Sequence, residues 1–399
     1  MGLAQPLVVS YGLGVDSTAA LLGLRRRGIR PDLILFADTG NERHEVYQYL
    51  PTMQQWLQSV KFPPVTVVRY IPQDFSHYPP YTSLGSNCLT NGTLPSLAFG
   101  FKSCSLKWKV APQNKFCDHW QPAIDCWAAG GKVRKIIGYD AGAKDRKRYA
   151  QAVGVEDPKY DYWYPLIDWK WDRERCIKEI VAEGLPGWSD WSGTKWVERG
   201  GQPVKSACYF CPATQPEELH HFKKIYLQYI VIMEARAMPR LEGHIPQEEL
   251  DRQYAVAVKK WEQKCEKARH EAAQRSHRLG RTVSPALPKK PRHPQQATGV
   301  LGLWRRGRKG TRGGKKMPGM MTDYIREHNL LPQAEIDHLI ATAPQAIIDN
   351  QEAFENGAEI PEWHDFIEAF SEEDMGQQMP KLELAMRTVC DGCECSCVC

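Results

Sequence analysis

The 399-residue chain contains no apolar run that approaches the ~20 residues of a membrane span, which excludes a helical membrane protein. Its opening, MGLAQPLVVSYG, lacks the cationic lead of a secretory signal, and Pro6 stands where a myristoylation signal needs Ser or Thr. A cytoplasmic location is therefore expected. No internal repeat occurs, and no glycine-rich loop ends in Gly-Lys-Ser/Thr, so a Walker A phosphate site is absent. The N-terminal glycine loop also lacks the third glycine of a dinucleotide fingerprint, Ser17 standing in its place. Evenly spread cysteines are missing too. Of thirteen, two form a CxxC at Cys208 and Cys211 and five crowd into the last ten residues, so a metal or redox role is expected rather than structural disulfides. Oxidised pairing stays open.

Composition is that of a globular protein, with 42% apolar and 25% charged residues. The net charge of +5 hides a segregation: residues 259–316 carry 18 Lys and Arg against 3 Glu, and residues 317–399 carry 3 against 17 Asp and Glu. Such a block pair points either to a nucleic-acid-facing segment or to self-pairing of the two blocks.

The first 140 residues alternate strand-like and helix-like stretches: PLVVSY at 6–11, a helix from Ser17 to Gly28, LILFAD at 33–38, a helix near 44–60, VTVVRY at 65–70 and VRKIIGY at 133–139. This rhythm predicts a parallel sheet with crossover helices, an α/β doubly wound fold followed by an α-helical C-terminal region. Residues 71–103, rich in Pro, Gly, Ser and Asn, read as a long functional loop. Asp172 predicts an N-cap, and Gly184 a stop, for a helix over DRERCIKEIVAEG. The expected divisions are 1–216 for the nucleotide-binding domain with its cysteines, 217–279 for a helical extension, 280–318 for a disordered basic Pro/Gly-rich linker, and 319–399 for an acidic helical segment with a Cys-rich tail.

The segment Ser10-Tyr11-Gly12-Leu13-Gly14-Val15-Asp16-Ser17-Thr18 lies between a strand and a helix, where glycines and backbone N–H groups wrap an anion at the positive helix end. Phe36-Ala37-Asp38-Thr39-Gly40 closes the second strand at the edge where open α/β sheets bind ligands. Ser10, Gly12, Asp16 and Ser17 match the SGGxDS signature of the PP-loop ATP pyrophosphatases, which the loop resembles, with Tyr11 for one glycine and altered Leu13-Gly14 spacing. The Asp38-Thr39-Gly40 segment is similar to that of the phosphoadenosine phosphosulfate reductase branch. The resemblance implies an adenine nucleotide alpha hydrolase-like, HUP/Rossmann-like fold. It implies ATP as substrate, with Gly14, Thr18, Asp38 and Thr39 joining the nucleotide site, Asp16 holding Mg²⁺, and Asp16 and Asp38 as the catalytic pair. Relatives carry G-x-x-A-x-E-x-x-R after a later strand; here Gly138, Ala141 and Arg146 fit, whereas Ala143 replaces the acidic residue, with Asp140 and Asp145 as substitutes to be tested. For Lys144, Arg146, Lys147 and Arg148, phosphate contact and a solvated basic loop are both open.

A CxxC by itself does not distinguish zinc, iron–sulfur and a redox dithiol. In order, YPLIDW, R-x-x-C-x-x-x-I, GLP and KSACxxCP resemble a bacterial and phage group similar to phosphoadenosine phosphosulfate reductases and to the pyrophosphatase component of DNA phosphorothioation systems. That resemblance adds Cys104, in KSCSLKWK, to Cys208 and Cys211, with Cys88 as fourth candidate ligand. It implies a [4Fe-4S] cluster suited to sulfur transfer, the alternative being structural Zn²⁺, and a sulfur-donor partner such as a cysteine desulfurase. Cys117, Cys126 and Cys176 read as small core residues. Residues 281–316, with eleven Lys and Arg around Trp304, suit a sequence-tolerant nucleic-acid contact or a linker pairing with the acidic segment. The tail CDGCECSCVC suits a soft metal, persulfide or disorder equally. Trp163, Trp169, Trp171, Trp188, Trp191 and Trp196 read as core and lid packing.

The expected activity is AMP-forming, pyrophosphate-releasing activation coupled to sulfur transfer onto nucleic acid. A sulfonucleotide reductase is the alternative, though its ECGxH-type motif is missing and only Glu394-Cys395 echoes it. A nucleotide-switched nucleic-acid-binding factor is a third reading.

Overall fold

The computed structural model describes residues 5–71, 81, 83–100, 102–186, 206–241, 247–279, 281–291, 300–304 and 319–343. Five short runs form parallel strands, the first four rich in Val, Ile and Leu and the first two buried on both faces. They are β1 (Leu7–Ser10), β2 (Leu33–Asp38), β3 (Val65–Arg69), β4 (Val133–Ile136) and β5 (Tyr160–Trp163). Their order in the sheet is β3-β2-β1-β4-β5, with Val8 opposite Leu33 on one side and opposite Lys135 on the other. The chain thus moves outward from β1 to β3, then returns to β1's other flank. The carboxyl ends of β1 and β4 border the reversal point, where an open parallel sheet leaves a crevice.

Between β1 and β2 runs α1 (Val15–Arg26), buried along most of its length. Residues His44–Ser59 form α2, and a helix cut from the expected long loop, α3 (Leu84–Thr90), starts at a capping box made by Ser83 and Ser86. A helical run follows: α4 (Ser103–Ser105), a π turn over Leu106–Val110, and α5 (Ala111–Cys117). Then come α6 (Gln121–Ala128), α7 (Ala143–Ala152), α8 (Pro165–Asp168) and α9 (Arg173–Ala182). Asp172 caps α9 by accepting from the Arg175 N–H at 2.9 Å, and Gly184 ends the turn after it at φ 76°, as the sequence predicts. The strand β5, YDYW, is buried only at Tyr160, its other three residues being partly exposed, and was not among the expected strands.

Two cores matter for function. One lies between the sheet and α1, α2 and α9, with Leu21, Leu22, Leu24, Ile34 and Met53 fully buried. The other gathers α3, Trp108, the Cys208–Phe210 turn, α10 (Pro216–Leu219), α11 (Lys224–Leu241), Leu303, Trp304, α13 (Met321–Glu327) and the helical residues 333–343. The remaining helix, α12, is Gln247–Leu279.

The boundary expected at Pro216 therefore does not divide the chain: α11 supplies the apolar floor on which the cysteine turn rests. Trp304, expected as an exposed stacking ring, is buried and donates its indole N–H to the Thr214 carbonyl at 3.1 Å. Its basic neighbours conceal an apolar Leu-Trp anchor. Glu234 of α11, fully buried, fixes that anchor by accepting from the N–H groups of Leu303 (2.7 Å), Met321 (3.0 Å) and Thr322 (2.8 Å), and from the Thr322 hydroxyl (2.6 Å). It is an N-cap for α13 delivered from another helix. The expected divisions within 292–299, 305–318 and 344–399, the tail cysteines included, lie outside the described residues, as do Trp188, Trp191 and Trp196. Among the described residues no helix is long and apolar enough to cross a membrane.

Candidate functional site

The loop after β1 is held from behind and open in front. Tyr11 and Leu13 point into the core; Leu13 does so with φ 53°, a left-handed conformation that costs a non-glycine residue on the order of 1 kcal/mol. Its burial holds that conformation in place. Ser10 Oγ donates to Gln113 Oε1 at 2.8 Å, and Ser17 Oγ accepts from the Gly12 N–H at 3.3 Å while donating to the Gly14 carbonyl at 3.2 Å. Gly12 faces open space: a Cβ there would meet nothing within 4 Å. No side chain caps α1, so its first-turn N–H groups remain available to an anion. Thr18, expected as a nucleotide ligand, is instead fully buried with its hydroxyl on Tyr11 at 3.0 Å, because the β-branched side chain faces the sheet.

Beside this loop the chain after β4 passes so closely that a Cβ on Gly138 would lie 3.0 Å from the Ser17 nitrogen, which explains a glycine there. The approach brings Asp140 and, one turn into α7, Asp145 to Asp16: one carboxylate oxygen from each lies within 4.8 Å of the others. Among the described residues this is the one group of three or more His, Cys, Asp or Glu that converges so closely. Ala143, where the resemblance expects an acidic residue, brings no carboxylate; the acids that converge on Asp16 are Asp140 and Asp145. Arg173, from the start of α9, donates to Asp16 Oδ1 at 2.6 Å. Burial raises the pKa of Asp16 against the pull of Arg173, and Asp140 and Asp145 raise it further. Asp140 is likewise raised, first by burial. Three carboxylates against two guanidiniums, Arg173 on Asp16 and Arg148 on Asp145, leave a net negative charge that a divalent cation with oxygen preference would neutralise. Arg146 is exposed on α7 next to this group, while Arg148 pairs with Asp145 at 2.9 Å and lies over the Tyr139 ring. The expected basic loop at 144–148 is helix.

Asp38 corrects an expectation. Its Oδ2 receives Arg69 Nε (2.9 Å) and Nη2 (2.6 Å), and its Oδ1 receives the Tyr47 hydroxyl (2.8 Å) and the Gly40 N–H (2.9 Å). All four lone-pair directions are filled, so Asp38 braces the loop after β2 and is not free to hold a metal or move a proton. Thr39, fully buried, turns its hydroxyl to Glu42 and to Cys208 Sγ, each at 3.2 Å.

That contact joins the loop to the cysteines. Glu42 and Cys208 form an antiparallel bridge, Arg43 N–H donates to the Ala207 carbonyl at 3.1 Å, and a Cβ on Gly14 would stand 2.5 Å from Ser206 Oγ. Cys208 and Cys211 sit on one turn, with the Cys211 N–H on the Cys208 carbonyl at 3.0 Å. Cys104 is an electrostatic neighbour of both Cys88 and Cys211. All four thiols are unpaired. No three of their sulfurs lie within 4.8 Å of one another, whereas zinc at about 2.3 Å from each thiolate requires sulfurs about 3.8 Å apart.

Charge of both signs surrounds the thiols: after burial, Glu42 is the larger influence raising the Cys208 thiol. Lys109, on the π turn, pairs with Glu42 at 2.7 Å and opposes the burial that pushes the Cys208 and Cys211 thiols up. Glu42 and the two thiols in turn raise the Lys109 pKa above its usual value despite burial. Lys107 does the same for Cys88 as Lys109 does for its pair, and Arg43 for Cys211. Arg43 is itself buried, with Nη2 on Glu218 at 2.7 Å and its Nε and Nη1 without an acceptor. A π turn inside an α run frequently marks a functional position. Cys117, Cys126 and Cys176 are buried in apolar surroundings, as expected.

Sequence reading missed Arg173, Glu42, Arg43 and Lys109 as parts of the site. Arg173 is the first residue of the R-x-x-C-x-x-x-I segment, but its partner Asp16 lies 157 residues away and nothing local joins the two; Glu42 was legible only as the residue two beyond the Asp38-Thr39-Gly40 segment. No family model and no curated protein matches the chain.

Proposed function

We propose that the protein is an ATP pyrophosphatase of the PP-loop type, HUP-like in fold, that adenylates a nucleic-acid substrate and replaces the activated oxygen with sulfur. The observation that carries this reading is the shared wall: Gly14 packs on Ser206 and Thr39 on Cys208, so the anion loop and the thiols border one crevice.

In this reading the uncapped first-turn amides of α1, with open space over Gly12, receive the pyrophosphate part of ATP. Asp16, Asp140 and Asp145 would hold Mg²⁺, which when bound would supply neutralisation of phosphate charge, and the substrate oxygen attacks the α-phosphorus with pyrophosphate leaving. Arg173 orients Asp16, and Arg146 is within the same neighbourhood for the nucleotide. Cys88, Cys104, Cys208 and Cys211 would hold an iron–sulfur centre, which when bound supplies a site for sulfur on its way to the substrate. Lys107, Lys109 and Arg43 stabilise the thiolates, and Glu42 holds Lys109 in place. A donor such as a cysteine desulfurase provides the sulfur as a persulfide, a dithiol reductant supplies the two electrons that bring it to the sulfide level, and the activated oxygen leaves with AMP.

The test is ATP labelled at the α-phosphorus, incubated with Mg²⁺ and nucleic acid, with products resolved as AMP or ADP. AMP and pyrophosphate formed by wild type and lost in Asp16→Ala support the assignment. ADP as product, or equal turnover by Asp16→Ala, refutes it. Anaerobic iron and sulfide analysis of wild type and Cys208→Ser/Cys211→Ser tests the thiol assignment separately.

A further inference from the structure

The 33 residues of α12 form a rod of about 50 Å, and no other described helix or strand packs along it. One face is covered by the chain's own return. Trp261 donates to the Pro288 carbonyl at 2.8 Å, Val283 donates its N–H to Ser276 Oγ at 2.8 Å, and Cys265 and Ala272 are buried between. Successive helical residues turn by about 100°, so Lys260, Lys264, Lys267, Arg275 and Arg278 fall within about 80° of arc, on a stripe about 27 Å long. All five are exposed, and none makes an ion pair among the described residues. Glu262 and Glu266 lie on the opposite side; Glu271 alone interrupts the stripe. Arg281, Lys289 and Lys290 are exposed on the returning segment, and Lys290 lies over the Trp261 ring at 5.9 Å.

We infer that this stripe is a docking rail for duplex nucleic acid, held through its phosphates. The inference rests on the reading above that the substrate is a nucleic acid, and it moves the contact from residues 281–316, where the buried Trp304 removes the stacking ring, to α12. Duplex is favoured over single strand because no aromatic side chain stands on the stripe; Trp261, on the covered face, is occupied by Pro288 and Lys290. A straight cationic row 27 Å long spans about 8 base pairs of phosphates. Five cations against the single carboxylate of Glu271 along the stripe suit a polyanion, whereas the opposite side mixes Lys259 and Arg269 with Glu262 and Glu266 as an ordinary solvated face does.

The test uses the full chain without ATP and follows fluorescence anisotropy of labelled DNA and RNA duplexes of about 20 base pairs between about 50 and 200 mM KCl. Five neutralised phosphates give a log K against log salt slope of about −4 to −5, a loss of several hundredfold across that range. Lys260→Gln/Lys264→Gln/Lys267→Gln, which preserves helix propensity, should reduce the slope to about −2 and the loss to about tenfold. The Arg triple at the same positions should behave as wild type. Either duplex obeying this pattern supports the rail. An unchanged slope in the Gln triple overturns it, as does absence of duplex binding by the full chain, which would mean that its own acidic segment occupies the stripe. Binding to phosphatidylserine vesicles but not to duplex overturns it in favour of a membrane. Nucleic-acid-independent pyrophosphate release should be equal in wild type and the Gln triple, so loss of the rail and loss of the pyrophosphatase are separately visible.

Discussion

Glu234→Ala should loosen the cysteine turn from a distance. The carboxylate is fully buried and accepts three backbone N–H groups and one hydroxyl, and the first of those donors begins the Leu303-Trp304 anchor. Trp304 in turn holds the Thr214 carbonyl, and Thr214 donates its N–H to the Cys211 carbonyl at 2.8 Å. Removing the acceptor leaves the N–H groups of Leu303, Met321 and Thr322 buried without partners, at about 1–3 kcal/mol each. Rotation of the Thr322 hydroxyl and entry of water into the vacated space offset part of this, so the expected loss is about 4–6 kcal/mol. That is a large fraction of the total stability of an ordinary domain. Glu234→Gln keeps an oxygen for two donors but turns an amide N–H toward the other two, and should lose about half as much. Urea unfolding gives the free energies, and native-state hydrogen exchange gives their location. Protection should fall at residues 303–304 and 321–343 and at the Cys208–Thr214 turn, while β1, β2 and α1 keep theirs. A Glu234→Ala protein within about 1 kcal/mol of wild type, or protection lost uniformly over the sheet, would refute the clasp.

Three further outcomes follow from the site. Asp140→Asn, which removes one of three converging carboxylates without changing its shape, should raise the Mg²⁺ concentration needed for half-maximal pyrophosphate release by about tenfold or more; equal Mg²⁺ dependence would remove Asp140 from the metal site. Gly14→Ala places a Cβ 2.5 Å from Ser206 Oγ and should abolish ATP turnover, whereas Gly14→Ala/Ser206→Gly should recover part of it, a coupling that a double-mutant cycle measures. Lys135, buried on β4 with Nζ on Asn114 Oδ1 at 2.9 Å, has its pKa lowered by burial from 10.5 to about 8. Between those values the unfolded chain binds the extra proton, so this group's contribution to stability rises with pH. Lys135→Met should accordingly gain up to about 3 kcal/mol on wild type at pH 7, and the gap should close as pH approaches about 10. Subtracting the two curves cancels the buried thiols remote from Lys135, whose raised pKa values act in the opposite sense, and making both measurements in a Cys117→Ala background removes the one thiol that Lys135 influences; a pH-independent difference would show that Lys135 titrates normally.

The sequence alone determined the local frame. Four of five strands, the helix after the glycine loop, the Asp172 cap and the Gly184 stop are each set by neighbours in the chain: apolar runs, a short side chain that caps, a residue free at positive φ. The glycine loop and Asp38-Thr39-Gly40 were legible for the same reason, since each is a contiguous stretch at a strand end. The tertiary structure decided the rest, because those choices depend on residues far apart. Asp140 and Asp145 reach Asp16 only because β4 lies beside β1, and Arg173 joins them because α9 packs on α1. Asp38 reads as a free carboxylate until Arg69 and Tyr47 fill its oxygens. Thr18 reads as a ligand until the helix phase turns it inward. The pattern YDYW was obscured by its position at the sheet edge, where only one side chain is fully buried. Trp304 sits in a stretch whose composition signals exposure, and only the buried carboxylate of Glu234, seventy residues earlier in the chain, makes a core position of it.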